Sequence, residues 1–429
     1  MAMNSKTWRR VPIVDLCEAH VDCVNRTAPV VDFQTPYKMI RTTNVRDGFI
    51  DTENVRYVTE KTYKKWTRRL IPKRGDVILT REAPLGEVGK IRTDDQIFLG
   101  QRLYHFRTNP QKLDADFLLY SLLGNDLQGQ IRGYGSGATV EHMRLEDIPS
   151  LKINLPPIEE QRKIAAILSV YDNLIDNNLR RIKILEEMAQ MMYEEWFVRF
   201  RFRGHEKVKM VNSELGLIPE GWEVKSVRDV ATLHRGKSYR SADLTNEGGL
   251  PFLNLKCIER GGGFRSDGLK RYGGDHDSKR TAKAGDIIIA VTDMTQERRL
   301  VAHAARVPQL GEPIAMMSMD LIKAEPRDDI PKEYLHGVFR FSGFSDEVKQ
   351  YANGANVLHL NPQRIEEFKF ALPPKEMRAE YAHLCMDIYQ LYDALLLKNS
   401  NLRRTRDLLL PRLVSGQIDV ANLDADTER

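Results

Sequence analysis

Cysteine is scarce in this chain, and its few thiols are scattered. The 429 residues contain four cysteines, Cys17, Cys23, Cys257 and Cys385. Cys17 and Cys23 do not have the spacing of a zinc knuckle, and no second pair follows them. We therefore expect reduced, structural thiols.

Long apolar runs are also missing. The N-terminus lacks the apolar core of a signal peptide, and no run of about 18 apolar residues suggests a membrane span. Apolar residues make up 41% of the chain and charged residues 29%, which is ordinary for a soluble globular protein. We expect a cytoplasmic protein of two or three domains.

Recognisable catalytic motifs are absent as well. There is no Asn/Asp-Pro-Pro-Tyr/Phe tetrad of the kind used by amino-methyltransferases, and residues 86–90 have the wrong spacing for a phosphate-binding loop. No clustered metal ligands and no nucleophile with an adjacent base can be found. His142 and His359 recur in a repeated loop, where a lone histidine is more often structural. We predict a non-catalytic reader and scaffold without a metal or cofactor of its own.

The chain does contain a long internal repeat. Residues 137–143, Gly-Ala-Thr-Val-Glu-His-Met, recur at 354–360 as Gly-Ala-Asn-Val-Leu-His-Leu, and the same offset carries Leu-Pro-Pro from 155–157 to 372–374. A period near half the chain is too long for a solenoid, whose repeats run ~20–50 residues. It predicts two copies of one domain with approximate two-fold symmetry, which suits a ligand with two similar ends, such as duplex DNA.

Each copy has the pattern of a compact α/β (α+β) domain. Short buried strands are predicted at 76–80 and 286–290 between turn signals, and the corresponding helices at 116–127 and 332–351. The predicted organisation has five segments. They are a first domain at 1–155, a central helix at 156–203, a linker at 204–218, a second domain at 219–372, and a helix with a tail at 373–429.

A heptad pattern follows the first Pro-Pro pair. No proline or glycine interrupts 158–203, and Pro411 is expected to end the second helix. The predicted seam positions are Ile164, Leu168, Tyr171, Ile175, Asn178, Ile182, Leu185, Ala189, Met192 and Trp196, with Leu402 and Leu409 on the second helix. The two seams would be buried most simply as an antiparallel coiled coil; the alternative is that each helix packs on its own domain. Asn178 is either a register device or a solvated position.

Positive charge is clustered, although the formal net charge is only +5. Seven basic residues lie between 61 and 74, with Tyr63 and Trp66 among them. If Thr59 caps a helix here, several of these cations share one face, the density that a phosphate backbone favours. A solvated face is the alternative.

Phosphate contacts are predicted from this cluster and from basic residues in the second copy. The candidates are Lys61, Lys64, Lys65, Arg68, Arg69, Arg235, Lys237, Lys270, Arg271, Lys279 and Arg280. Ser136, Gly137 and Asn353 belong to small polar loops whose backbone amides could approach phosphates. The alternative for these loops is an ordinary turn before a strand.

Base contacts are predicted in loops after the core strands and near the first sheet edge. The first copy offers Arg41, Thr43, Asn44, Arg46, Arg81 and Glu82, and the second offers Lys256, Arg260, Thr292, Asp293, Met294 and Gln296. Arginine suits guanine, whereas asparagine and glutamine suit adenine, by bidentate geometry. Because phosphate contacts position and base contacts specify, two copies with diverged loops could read different sequences.

This pattern resembles the specificity subunit of type I restriction-modification enzymes. The resemblance covers essentially the whole chain and rests on residues 155–165, the Trp-Phe pair at 196–197, the strands after Gly75 and Gly285, and the closing segment 408–416. Lys-Glu-Met-Arg at 375–378 departs from the family's Glu-Glu-Gln-Arg run at 159–162. That departure bears on whether both helices contact partners in the same way.

The resemblance implies two target-recognition domains that read a bipartite, asymmetric DNA site, with the helices as a ruler. It also implies docking of two modification subunits, which methylate adenine N6 with S-adenosylmethionine. Restriction subunits that use ATP and Mg²⁺ would join them. Three other classes are weighed against this: a fused endonuclease or methyltransferase, a DNA-binding scaffold of another phage-defence or modification system without a restriction subunit, and an RNA-binding protein. The last is weaker because no RNP-like aromatic strand is present.

Overall fold

Two compact units make up the chain in a computed structural model that describes residues 8–135, 141–327 and 329–421. Unit 1 contains residues up to 175 together with those from 401 onward, and unit 2 contains residues 176–400. Both boundaries lie inside long helices, so each long helix begins in one unit and ends in the other.

Unit 1 alternates short strands with helices before the first long helix begins. Its elements are β1 Arg9–Pro12, β2 Cys17–Asp22, β3 Tyr37–Ile40, β4 Val45–Arg46, β5 Phe49–Ile50, β6 Arg56–Tyr57, α1 Glu60–Trp66, β7 Val77–Arg81, β8 Leu85–Lys90, β9 Gln96–Leu99, β10 Leu103–Thr108, α2 Ala115–Leu123, α3 Asn125–Tyr134, β11 Lys152–Leu155 and the start of α4 Ile158–Tyr193.

Unit 2 begins with the end of α4 and repeats this plan. Its further elements are β12 Met210–Ser213, β13 Gly216–Pro219, β14 Glu223–Ser226, α5 Val227–Val230, β15 Ala231–Arg235, β16 Leu244–Thr245, β17 Leu250–Leu253, β18 Lys270–Tyr272, β19 Thr281–Ala282, β20 Ile287–Ala290, β21 Thr292–Asp293, β22 Ala304–Arg306, β23 Ala315–Met317, β24 Leu321–Pro326, α6 Lys332–Phe341, α7 Phe344–Val348, β25 Leu358–His359, α8 Pro362–Glu366, β26 Lys369–Leu372 and most of α9 Lys375–Val414.

Several strand pairings recur in the two units. A four-stranded sheet has the order β2-β10-β7-β8 in unit 1 and β15-β24-β20-β22 in unit 2. A parallel pair is formed by β3 with β9, and its counterpart by β17 with β23. The strands β1 and β11 pair in the same way as β14 and β26. The predicted duplication is therefore present in the fold, and a mixed α/β class is confirmed.

The two strands expected from sequence lie inside the four-stranded sheets. Val77, Ile78 and Leu79 of β7 are fully buried, as are the three isoleucines of β20. The helices predicted at 116–127 and 332–351 are each broken by a glycine. Gly124 is extended between α2 and α3, and Gly343 adopts φ +85 before α7.

The long helices pack against each other in opposite directions. In unit 2, Ile182 and Leu185 of α4 form a cluster with Tyr392 and Leu395 of α9. In unit 1, Asp172 of α4 pairs with Arg406 of α9 at 2.7 Å. Partner numbers fall on one helix as they rise on the other, so the antiparallel arrangement is confirmed.

The seam positions also complete the domain cores, so the alternative packing occurs as well. Ile164 and Leu168 join the core of unit 1 together with Leu410 and Leu413. Tyr381 and Cys385 join the core of unit 2. Most predicted seam residues of α4 are buried, while Tyr171, Met192 and Trp196 are half-buried; Leu402 and Leu409 of α9 are also half-buried.

Three sequence predictions about this region are wrong in detail. The central helix does not run to 203, because α4 passes into a π-helical turn at Glu194–Val198 and Phe200 has φ +57. Pro411 does not end α9, which continues to Val414 because Leu410 and Leu413 pack in the core of unit 1. The segment 204–218, predicted as a plain linker, contains β12 and most of β13, which form a hairpin.

Asn178 lies on the seam and is buried opposite Asn399. Its Nδ2 donates to Oδ1 of Asn399 at 2.8 Å, and both side chains have at most 2% exposure. A buried amide pair of this kind is a register device in coiled coils, at some cost in stability. The solvated alternative for Asn178 is excluded by its burial.

We predict that Asn178→Leu lowers the free energy of unfolding by about 1–3 kcal/mol, since it removes a partner from a buried amide. The double variant Asn178→Leu with Asn399→Leu should recover most of that loss, because both amides are then replaced. Urea unfolding of the full chain measures both values. Asn173→Leu, an exposed change on the same helix, is the control, and a single variant as stable as the wild type would contradict the prediction.

Candidate nucleic-acid interface

The predicted basic helix exists and is capped as expected. Thr59 accepts a hydrogen bond from the Thr62 backbone N–H at the start of α1. Lys61, Lys64 and Lys65 are exposed on this helix. Side-chain hydrogen bonding from Lys64 to Glu60, at 2.6 Å, raises the pKa of Lys64.

Some cations of this cluster are already paired. Arg69 forms a salt bridge with Asp22, and Arg74 forms one with Asp94, at 3.0 Å between Nη2 and Oδ2. Lys61, Lys65 and Arg68 are exposed and have no carboxylate partner among residues 8–135, 141–327 and 329–421. Lys65 also lies over the Trp66 ring, with 5.5 Å from Nζ to the centroid. We call Lys61, Lys65 and Arg68, which lie on or just after α1, the α1 cations; like Lys73, they carry positive charge that no carboxylate of the described residues pairs.

The first group of predicted base-contacting residues follows β3. Thr43 and Arg46 are exposed, whereas Asn44 is 4% exposed. Its Oδ1 accepts from the Arg41 backbone N–H at 3.0 Å, and its Nδ2 donates to Asn54 O at 2.9 Å. Asn44 therefore holds its own turn, and its burial is incompatible with a base contact in this conformation. Burial also lowers the pKa of Arg41.

The second group in unit 1 consists of the last residue of the core strand β7, Arg81, and the residue after it, Glu82. Arg81 is half-buried and donates from Nη1 to Met143 O at 2.9 Å. Glu82 lies 3.3 Å from Arg102. These side chains are held by partners within unit 1, and the loop beside them remains partly exposed.

Unit 2 places its predicted residues at topologically equivalent points. Lys256 lies in the 3₁₀ turn Leu255–Cys257 after β17, and Arg260 follows it. The segment 292–296 follows β20. The predicted residues of unit 2 therefore follow the counterparts of β3 and β7, and their contacts with bases stay predictions.

Two residues of this last loop are buried. Thr292 donates to Asp320 at 3.1 Å. Burial alone would raise the pKa of Asp293, but backbone donors that include Leu300 at 2.7 Å hold this pKa below its usual value. Thr292 and Asp293 thus build the loop and offer no exposed side chain to a base. Met294, in contrast, is 67% exposed.

An open basin of about 510 Å³ lies beside these loops in unit 2. Lys256, Arg260, Lys270, Met294 and Tyr239 are among the residues that line it. We call it the unit 2 basin.

Free positive charge is concentrated at the unit 2 basin. Two of its cations are paired within the protein, Arg265 with Asp267 at 2.6 Å and Arg299 with Glu297 at 2.7 Å. Lys256, Arg260 and Lys270 have no such partner in the part of the chain that the structure describes. The basin thus combines free donors with an apolar side chain and an aromatic one.

The remaining predicted phosphate contacts differ in availability. Arg235 donates to Met319 O, Lys237 to Asp275 O, and Arg271 to Gly248 O and Gly249 O. Lys279 is exposed, and Arg280 lies 3.9 Å from Asp277. Asn353 is exposed, and its backbone forms an isolated antiparallel β-bridge with that of His359. Ser136 and Gly137 lie outside the described residues.

Among residues 8–135, 141–327 and 329–421, no group of three or more His, Cys, Asp or Glu side chains could hold a metal ion. All four cysteines are free thiols, and burial raises the pKa of Cys17 to about 12 and that of Cys257 to about 11. None of the described helices is long and apolar enough to cross a membrane.

The family is decided by a comparison with known protein families. The model of the "Type I restriction modification DNA specificity domain" matches residues 5–187 and again residues 219–392. The chain belongs to this family. It carries two copies of the specificity domain, in agreement with the duplicated sheets.

Several curated relatives of this specificity chain come from Methanocaldococcus jannaschii. The chain is 25% identical to the type I restriction enzyme MjaIX specificity subunit, over 86% of this chain and 83% of the relative. It is 24% identical to the MjaVIII specificity subunit, over 90% and 87%. The crystal structure of the type I restriction-modification S subunit from M. genitalium matches with a TM-score of 0.56 at 15% identity, over 96% of each chain.

The specificity chain contains buried ionic anchors that the sequence pattern did not reveal. Asp172 of α4, 1% exposed, accepts from Tyr120 Oη at 2.8 Å and from Arg406 at 2.7 Å. In unit 2, Arg306 makes two bonds to Asp393 of α9, at 2.8 and 3.0 Å. In the sequence, these anchors were indicated only by the position of the two aspartates, each of which directly follows an apolar residue of the helix pair.

We predict that replacing the α1 cations with alanine weakens binding of the whole chain to any DNA duplex. The slope of log affinity against log salt should fall by about 0.9 for each cation that contacts a phosphate. Fluorescence anisotropy at several salt concentrations measures it. Arg74→Ala is the matched control, because Asp94 already neutralises this arginine. An unchanged slope in the triple variant would exclude this surface.

Proposed function

We propose that this chain reads a bipartite, asymmetric DNA site, one half with the recognition domain of each unit. One observation carries the proposal: the same frame of sheets occurs twice, while the exposed polar side chains on equivalent loops differ. Thr43 and Arg46 follow β3, whereas Lys256 and Arg260 follow its counterpart β17. Two diverged readers on one frame suit two different half-sites.

Base reading is assigned to the exposed members of the predicted set. Arg260 and Lys256 are donors that match the O6 and N7 acceptors of guanine, and Met294 can contact a thymine methyl group. In unit 1, Arg46 and Thr43 are the exposed candidates, with Arg41, Arg81 and Glu82 beside them. The α1 cations, Lys270 and Lys279 are assigned to phosphates, which position the duplex without reading it.

The long helices are assigned the role of a ruler. The helix α4 has 36 residues and α9 has 40. At ~1.5 Å per residue they extend about 54 and 60 Å. Because each helix runs from one unit into the other, their length and register would determine the gap between the half-sites.

Modification subunits are assigned to the outward side of the helices. Ile184, Met188 and Met191 are about half-exposed and, at spacings of four and three, share one face of α4. Other apolar residues exposed on the helices are Val170, Leu174, Leu179, Leu384, Met386, Leu391, Leu397 and Leu408. Exposed apolar surface of this kind marks protein interfaces. The duplicated frame suits two such subunits.

The chemistry is assigned to these partners. The modification subunits would methylate adenine N6 with S-adenosylmethionine, and restriction subunits would use ATP and Mg²⁺ for cleavage. The assembled complex would then be both a DNA methyltransferase and a type I endonuclease, while this chain supplies recognition and scaffolding.

Methylome sequencing of cells that express this chain with its modification subunit tests the proposal. We expect N6-methyladenine in two fixed half-sites separated by a gap of constant length. A four-residue insertion in α4 adds about 6 Å. It should lengthen the gap by one or two base pairs, given ~3.4 Å per base pair, and leave both half-sites unchanged. Altered half-sites with the original gap would refute the ruler.

Docking of the modification subunit is tested with Ile184→Glu combined with Met188→Glu. Two carboxylates on an apolar interface must be desolvated without partners, so we expect at least a tenfold loss of co-purified modification subunit. Lys183→Glu is the control, because Lys183 is exposed on the same helix but, next to Ile184 in sequence, does not lie on this face. Full co-purification of the double variant would exclude this face.

A further inference from the structure

The loop that follows β20 is tied to the repeated segment 354–360 along its length. Thr292 and Asp293 pair with His359 and Leu358 as the two strands β21 and β25. The Leu360 N–H also donates to Val291 O at 2.9 Å. This loop carries Met294, which faces the unit 2 basin.

Side chains of the loop continue this connection. Gln296 Nε2 donates to Gly354 O at 3.2 Å and to Ala355 O at 3.1 Å. Arg298 donates from Nη1 to Gln350 Oε1 at 3.0 Å and from Nη2 to Ala352 O at 3.3 Å. The loop is thus bonded to segment 350–360 both by backbone groups and by two long side chains.

Unit 1 contains the same arrangement at the equivalent place. Glu82, just after β7, forms an isolated antiparallel β-bridge through its backbone with His142 in the first copy of the repeat. Met143 N donates to Arg81 O at 2.9 Å, and Arg81 Nη1 donates to Met143 O at 2.9 Å. In both units, the end of the repeated segment, His142–Met143 in unit 1 and Leu358–Leu360 in unit 2, therefore pairs with the end of the core strand or the loop that follows it.

The loop in unit 2 needs outside support to keep its shape. Arg298 has φ +52 and Ala302 has φ +63, a backbone region that non-glycine residues adopt only when their surroundings determine it. The supporting segment is itself constrained. Gly354 has φ +142, and a Cβ there would lie 2.0 Å from Val357 O, so only glycine fits.

We propose that the end of the repeated segment, His142–Met143 in unit 1 and Leu358–Leu360 in unit 2, is a clamp that holds the base-reading loop of each recognition domain, and that Arg298 and Gln296 are positioning residues for one half-site. The inference rests on the proposed function. It reassigns the Gln296 amide nitrogen from a base contact to the clamp. It also accounts for the pattern of duplication, because a clamp made largely of backbone bonds can stay the same while the loop it holds changes.

Positioning matters for sequence reading because a bidentate base contact tolerates only small displacements of its donors. A loosened loop still attracts phosphates, since its charge is unchanged. It discriminates bases less well. Loss of the clamp is therefore expected to relax specificity without weakening general DNA binding.

The test uses the complete modification complex with Arg298→Lys, which keeps the positive charge but loses the two-pronged contact. Gln350→Ala, which removes one of its acceptors, is the second variant. Arg228→Lys is the matched control, since Arg228 lies 3.6 Å from Glu366 in the same unit and does not contact the loop. The wild-type motif is first determined by methylome sequencing; if no bipartite motif is found, the proposed function fails and not the clamp.

We expect both variants to methylate sites with a wrong base in one half-site about tenfold more often than the wild type. The other half-site and the gap should stay as strict as before, and affinity for a scrambled duplex should change less than twofold. Arg228→Lys should match the wild type. Unchanged strictness in both variants, equal relaxation of both half-sites, or uniform loss of methylation at all sites would each overturn the clamp.

Discussion

The structure depends on the apolar seam between the two long helices, because each helix packs against the other helix and also forms part of the domain cores. Leu168 packs in the core of unit 1 with Leu410, so neither helix can move there without opening a domain core. In the same way, Ala189 of α4 and Tyr381 of α9 both pack in the core of unit 2. Each long helix thus contributes side chains to the cores of both units.

Polar pairs on this seam favour one register of the two helices more than they stabilise the fold. Removing two charges from water offsets much of the attraction between Asp172 and Arg406, so such pairs add little net stability but penalise any arrangement that separates them. The Asn178–Asn399 pair acts in the same sense with neutral groups. The bonds between Arg306 and Asp393 extend the principle to the attachment of a recognition domain to its helix.

Much of the frame could be predicted from the sequence because it follows local rules. The Thr59 cap, the buried strand after Gly75 and the heptad seam each depend on neighbours in the chain. The candidate interface was less predictable. Arg69 and Arg74 are neutralised by Asp22 and Asp94, which are distant in sequence, and Asn44 is buried by a turn that it caps itself. Composition marks such residues as polar, whereas only the fold decides whether they are free. The assignments to bases and phosphates stay predictions.

The division of the chain into units has a consequence for its synthesis. Unit 2 is continuous in sequence, so all of its residues are available once residue 400 has been made. Unit 1 is discontinuous: Leu413 and Val420 fill its core beside Leu118 and Ile153. The core of unit 1 is therefore completed only by residues that are synthesised after the whole of unit 2. Completion of the unit 1 core thus depends on the same part of α9 that pairs with α4.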